Sequence, residues 1–235
     1  MAEAGNIAVA ILVRDEARRL PKFLEQLERL SNFKDLKFLF VENDSIDNTV
    51  SMLQSWMSQK CPTSSTIISK KYGTKKYGST RDKERVKNLA ELSNQLIGYI
   101  LEVPMYRNCT HVLMVDANYF LPTNLIVDLA GLKKDIVAPL VLGGGEMFYD
   151  VWSFQKDGHE FRHDPPYFTG YKRGIFELSS VGACYLVDRK VLEAGVVYGI
   201  DYNWDACHHS VFCHNARQKG FKVWCDGFME IHKIG

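Results

Sequence analysis

Side chains that carry oxygen recur just after apolar runs in this sequence, and chemistry is most readily placed there. Asp116-Ala117-Asn118 follows the run 110–115. Two oxygen donors two residues apart at a strand end can face one ion, and a hard divalent cation prefers oxygen. Such a cation can hold a diphosphate and neutralise its charge as it leaves. An Asp in that place is also a common cap or turn residue, so the motif gains its weight from context. Glu42-Asn43-Asp44-Ser45 follows another apolar run. Asp44 could accept from a nucleobase N–H, and the same residues equally suit an Asx turn. Arg81 and Arg85 lie one helical turn apart, where guanidinium forks and a helix N-terminus suit phosphate oxygens. Lys70, Lys71, Lys75 and Lys76 sit in a loop with Gly and Tyr and read as a solvated surface. Residues 203–209 gather Asp205, Cys207, His208 and His209, which offers a base or metal donors, or simply a helix cap at Asp205. Their spacing matches no zinc signature. Glu230-Ile231-His232 would matter only if the fold brought His232 beside Asp116.

The elements that position these residues alternate. Ile7–Val13 is a continuous apolar run rich in β-branched residues, as in a strand buried on both faces. Residues 15–30 place Ala17, Leu20, Phe23, Leu24, Leu27 and Leu30 at helical spacing, with Pro21 marking the start of the helix proper. Strands are expected at 37–41, 65–69, 110–115, Ile136–Leu142, 181–187 and 221–225. Helices are expected at 48–56 (with Asp47 as cap), 81–101, 122–132 and 210–219, the last ended by Gly220. Strands alternating with helices make an α/β fold, a parallel sheet with helices on both faces. Ligands in such sheets bind beyond the carboxyl ends of the strands, where the polar clusters fall. Residues 143–174 change texture, rich in Gly, Pro and aromatics, and read as long functional loops.

Composition bounds the rest. The chain has 235 residues, with 29 Lys and Arg against 28 Asp and Glu. That balance gives no global reason to expect nucleic-acid binding. With 46% apolar residues, the composition is globular rather than disordered. No apolar run reaches the roughly 18 residues that a membrane span needs. The opening residues lack a signal-peptide apolar stretch, so a cytoplasmic protein is the expectation, with a trimmed Golgi or ER lumenal domain as the alternative. None of the six cysteines forms a C-x-x-C pair, and reduced buried thiols are expected.

In their order along the chain these stretches resemble the GT-A nucleotide-sugar glycosyltransferases. The branches they resemble most are the Anp1 and capsule-associated mannosyltransferases and the collagen galactosyltransferases. The likeness rests on residues 41–45 with Asp47 and Thr49, on Arg81 through Asn94, on residues 115–118, on residues 137–139 with 149–152, on residues 180–183 and on residues 204–220, ending at His232. It implies one GT-A (Rossmann-like) domain over 1–235, with a mixed, mainly parallel central sheet. Residues 1–142 would bind nucleotide and 143–235 the acceptor. It implies transfer of a hexose from a UDP- or GDP-sugar to a glycan or protein hydroxyl, with Mn²⁺ or Mg²⁺. Val13, Arg14 and Asp44 would lie about the base and ribose, and Arg81 or Arg85 would reach the nucleotide or its phosphates. Asp116 and Asn118 would take the Asp-x-Asp place that holds metal and diphosphate, and His232 that of a late metal ligand. Trp152 and residues 143–145 would face sugar and acceptor.

Two departures from the family pattern stand out. Asn118 replaces the second Asp, which keeps an oxygen ligand and loses a charge. His208-His209 stand where many members carry a Glu-Asp pair before a helical Phe, here Phe212. Asp205 would then serve as base, or His209 would, or a retaining enzyme would need neither. The departures also admit a degenerate, non-catalytic nucleotide-binding or scaffold protein. A sugar nucleotidyltransferase fits less well, since Arg14-Asp15-Glu16-Ala17-Arg18 after the first strand has no Gly.

Overall fold

The structure is a computed structural model and describes residues 6–31, 33–143, 148–157, 159–161, 174–200 and 206–235. In chain order its elements are β1 (Ile7–Val13), α1 (Leu20–Arg29), β2 (Leu36–Asn43), α2 (Thr49–Lys60), β3 (Ser65–Lys70), α3 (Lys83–Glu102), β4 (His111–Asp116), β5 (Tyr119–Phe120), α4 (Leu125–Gly131) and β6 (Ile136–Leu142). There follow β7 (Gln155–Lys156), β8 (His159–Glu160), β9 (Ile175–Leu178), β10 (Cys184–Asp188), α5 (Arg189–Glu193), α6 (His208–Gln218) and β11 (Val223–Lys233).

The central sheet runs β3-β2-β1-β4-β10-β6-β11-β5, with β9 paired on β11. Its first four strands are parallel, as the alternation of strand and helix requires. From there it becomes mixed: β10 lies antiparallel between β4 and β6, and β6 pairs parallel with β11. A small hairpin, β7 with β8, stands apart. Every residue of β6 is buried, and β1 is nearly so, which accounts for their unbroken apolar sequences.

Helix boundaries follow local chemistry. Leu20, Phe23, Leu24 and Leu27 turn one face of α1 to the sheet, and Pro21 sits in its first turn. Asp82 caps α3, its carboxylate accepting from the N–H groups of Glu84 and Arg85. Asp47, expected as the cap of this helix, stands one residue before the N-cap Asn48 and orders the entry to α2 by accepting from the Thr49 N–H at 3.0 Å.

In the first half α2 runs on to Lys60 and a short strand, β5, follows β4; the larger differences from expectation lie in the second half. Strand β10 begins at Cys184, because Ala183 adopts a left-handed backbone (φ 57°) that a strand cannot continue through. Strand β11 reaches Lys233, well past the expected end at 225, with its register against β6 shifting between Asp226 and Glu230. Two short strands, β7 and β8, occur among the described residues of the segment expected to be loop, and β9 follows directly after it. All six cysteines are free and buried. No helix among the described residues is long and apolar enough to cross a membrane.

Candidate active site

Strands β1, β2 and β4 end side by side, and their carboxyl ends open on a cleft of about 640 Å³. The exits of β1 and β2 are laced together. Asp15 and Asp44 both take left-handed backbones, φ 52° and 55°, which turn the chain sharply out of the sheet. The Asp15 carboxylate accepts from the Ile46 N–H at 2.9 Å, and the Asp15 N–H donates to Ser45 Oγ at 3.0 Å. Buried Glu42 accepts from the Ser45 N–H at 2.7 Å.

Asp44 is spent on this scaffold. Its carboxylate accepts from the Gly73 N–H at 2.9 Å, from the Thr74 N–H at 3.1 Å and from the Thr74 hydroxyl. Burial opposes ionisation there, yet the bonds from Thr74, Gly73 and Asn43 hold its pKa at about 2. Asp44 does not line the cleft, whereas neighbouring Asn43 does. Arg14 does line it, but its guanidinium donates to Thr74 Oγ1 at 2.9 Å and to the Thr74 carbonyl at 2.8 Å. The structure therefore has Arg14 and Asp44 tying the loop after β3 to the sheet. Val13 lines the cleft beside them.

Opposite stand the cations expected from the sequence. Arg81 lies over the Trp152 ring, 5.3 Å from its centroid, and both line the cleft. Arg85, in the first turn of α3, donates to the Thr80 carbonyl at 3.2 Å and also faces the cleft.

Asp116 ends β4 at the cleft floor, where its N–H donates to the Ala183 carbonyl at 3.0 Å. A second carboxylate, Asp150, which no motif in the sequence marks, lines the same cleft. Residues 148–154 are anchored by Phe148 and Phe154, packed edge to face at 5.2 Å, and by the Tyr149 N–H donating to the Val141 carbonyl at 2.8 Å. Asp150 is thereby laid against Gly182, where an added Cβ would come within 2.8 Å of Asp150 Oδ2 and 2.4 Å of Ser153 Cβ. The Gly182-Ala183 backbone thus brings the two carboxylates together. Burial, then the charge of Asp150, raises the pKa of Asp116 to about 7, against the pull of Arg85 and Lys233. Burial likewise raises Asp150 to about 6, against the hydrogen bonds from Ser153. Tyr149-Asp150-Val151-Trp152 stood in the sequence as one aromatic segment, and nothing in its spacing paired Asp150 with a residue on another strand.

Asn118 lines the same cleft, and its side-chain Oδ1 is buried with no hydrogen-bond partner. An orphaned amide oxygen beside two carboxylates fits a hard cation. Among the described residues, no group of three or more His, Cys, Asp or Glu is placed to hold a metal, so the fit rests on the two carboxylates with the amide.

His232 is not brought to Asp116. Adjacent strand residues point to opposite faces, and Lys233 is the one that enters the cleft. His232 lines a second cavity instead, with Phe120, Phe228 and Glu230. The extension of β11 to Lys233 fixes that phase, and a sequence reading that ended the strand at 225 could not see it. Lys233 lies over the Tyr149 ring at 4.0 Å and donates to its hydroxyl.

His208 and His209 open α6 with their rings 3.9 Å apart, and both line the cleft. Burial, and secondarily Arg85, pushes His209 down to about 3, and burial, then His209 and Arg85, holds His208 well below the usual imidazole range. Both imidazoles are neutral near pH 7. Asp205 lies outside the described residues, as do Gly144 and Gly145.

A family model, "Glycosyltransferase family 25, N-terminal domain", matches residues 4–229. The chain belongs to glycosyltransferase family 25. Human procollagen galactosyltransferase 2 is 23% identical over 241 residues, 94% of this chain and 37% of its own length. Human "Inactive glycosyltransferase 25 family member 3" is 24% identical over 234 residues, 92% of this chain and 38% of its own length. This family 25 chain therefore spans little more than a third of these curated relatives. The crystal structure of GalNAc-T7 with UDP, GalNAc and Mn²⁺ superposes with a TM-score of 0.69 at 12% identity, over 100% of this chain and 45% of that one. At that identity the likeness speaks for the fold, which is GT-A.

Proposed function

We propose that this chain transfers a hexose from a nucleoside diphosphate sugar to an acceptor hydroxyl, using Mn²⁺ or Mg²⁺ held by Asp116, Asp150 and Asn118. One observation carries the reading. Two carboxylates and an unpartnered amide oxygen face Arg81, Arg85 and Lys233 across a single cleft at the strand ends. Family membership supports sugar transfer, and the nucleotide and Mn²⁺ named with GalNAc-T7 support the donor class and the metal.

Bound at that oxygen set, the cation would neutralise the diphosphate as it departs. The chain's own groups do the rest. Arg85 and Lys233 offer N–H donors to phosphate oxygens. Val13 and Asn43, which line the cleft at the ends of β1 and β2, would meet base and ribose. Trp152, carrying Arg81 on its face, forms an amphipathic wall suited to a sugar ring. In the transfer, the bond from the anomeric carbon to the diphosphate oxygen breaks and one to the acceptor oxygen forms. The acceptor proton passes to a base, for which Asp205 is the proposed group. The acceptor is a glycan or protein hydroxyl.

The test is release of UDP or GDP from a panel of nucleotide sugars, with Mn²⁺ and with chelator. Metal-dependent release with one base, lost in Asp116→Ala, is the expected result. Failure of every nucleotide to bind would refute the reading. The lost charge at Asn118, together with a relative named inactive, favours one second reading: nucleotide binding without turnover.

A further inference from the structure

Half-buried His209 ends a hydrogen-bonded chain with two buried tyrosines that the transfer reaction, as described, does not use. Its Nδ1 lies 3.0 Å from the Tyr185 hydroxyl, which in turn is hydrogen-bonded to the Tyr198 hydroxyl. Tyr185 is 0% exposed and Tyr198 3%. Tyr198 is held in place from both sides. Its ring stacks on Phe212 at 4.4 Å, its N–H donates to Asn94 Oδ1 at 2.8 Å, and its carbonyl accepts from Asn94 Nδ2 at 3.1 Å.

The protons in this chain can be counted. Each phenol keeps its proton, since burial raises the pKa of both tyrosines. Among the described residues Tyr185 is the one hydrogen-bond partner of the Tyr198 hydroxyl. Suppose Tyr185 donated to Tyr198. Then Tyr198's own proton would be buried without an acceptor, which lowers the population of that arrangement by a factor of about 5 or more. Suppose instead Tyr198 donates to Tyr185. Then Tyr185 donates to His209 Nδ1, and every proton is used. A neutral imidazole that accepts at Nδ1 carries its hydrogen on Nε2. Nδ1 is turned to Tyr185, so the edge of the ring left to the cleft carries Nε2.

We propose that Tyr198 and Tyr185 lock His209 as an N–H donor into the cleft, aimed at an oxygen of the bound nucleotide sugar, and not as the base that deprotonates the acceptor. This rests on the glycosyltransferase reading for the identity of the ligand and not for the direction of the chain. The nitrogen lone pair that a base would need is occupied by Tyr185. Burial, and after it the charge of Arg85, disfavours a second proton on His209. A neutral donor suits a site that must bind a diphosphate sugar without adding a buried charge. The oxygen is either a phosphate or a sugar hydroxyl.

Two measurements test this on the full chain. Long-range ¹H–¹⁵N spectra of ¹⁵N-histidine-labelled protein read the tautomer directly. The expected result is His209 as Nε2–H near neutral pH, retained in Tyr198→Phe and mixed in Tyr185→Phe. Nδ1–H in the wild type would overturn the proposal. The second measurement is the affinity of His209→Gln and His209→Ala, with Mn²⁺, for whichever of UDP or GDP binds and for its sugar conjugates. Gln places an amide N–H near the Nε2 position. The expected result is a loss of about 10- to 100-fold in His209→Ala, as for a hydrogen bond to a charged or polar oxygen, with most of it recovered in His209→Gln. Loss with the free diphosphate marks a phosphate oxygen, and loss with the sugar conjugate alone marks a hydroxyl. Equal loss in both variants would overturn the donor role. A wild type that bound no nucleotide would instead refute the glycosyltransferase reading, and the tautomer would still decide the chain's direction.

Discussion

Replacing Asp116 with Asn should make the metal-free protein more stable at neutral pH while removing its response to manganese. The carboxyl rises from 3.8 in a free chain to about 7 in the folded one, chiefly through burial and then through Asp150. Between those values the folded chain binds more protons than the unfolded one, so stability falls as pH rises through that window. Below about pH 4 the group is protonated in both states and costs nothing. Above about pH 7 the full penalty applies. That rise corresponds to at most about 4 kcal/mol. The two carboxylates titrate as a coupled pair and relaxation softens the penalty, so about 1–3 kcal/mol is the working expectation. Asn removes the charge at nearly constant shape, and its amide can donate to Asp150. Urea unfolding at pH 5, 6, 7 and 8 would read this. Wild-type stability should fall across the series, the curve of Asp116→Asn should be flatter, and the gap should be widest at pH 8. Adding Mn²⁺ at a hundredfold excess over its dissociation constant should restore roughly 2.7 kcal/mol to the wild type and nothing to the variant. An Asp116→Asn protein less stable than wild type at pH 8 would refute the reasoning, because it would mean that the carboxylate is stabilised in the empty cleft.

Other perturbations separate scaffold from site. Gly182→Ala should destabilise by about 1–3 kcal/mol and weaken nucleotide affinity, since its Cβ would sit 2.4 Å from Ser153 Cβ and push on Asp150, and thermal melts with and without nucleotide would show both effects. Asp44→Ala should lower stability by about 1 kcal/mol by releasing the loop at Gly73 and Thr74, with the loss shrinking in acid as the native carboxylate is protonated near pH 2, and denaturant midpoints against pH would follow it. Trp152→Ala should leave the melting temperature nearly unchanged and weaken nucleotide-sugar binding by about 0.5–2 kcal/mol through the lost wall under Arg81, as titration calorimetry would measure.

What the sequence determined by itself was the alternation. Apolar runs at Ile7–Val13 and Ile136–Leu142 can only be buried strands, and amphipathic runs between them must be helices, so the parallel half of the sheet and the polar clusters at its strand ends follow from local pattern. Arg81, Arg85 and Asp116 were legible for that reason. What tertiary structure decided was pairing across strands and phase along them. Asp150 is distant in sequence from Asp116, and the two share the cleft because Gly182 admits Asp150 while its neighbour Ala183 accepts from the Asp116 N–H. Asp44 and Arg14 carry the right chemistry for a nucleotide, but the loop that folds back on them takes up their hydrogen bonds first. The extension of β11 turns His232 to the outer cavity and Lys233, the next residue, to the cleft, and no local signal sets that phase, because it depends on how β11 slips against β6.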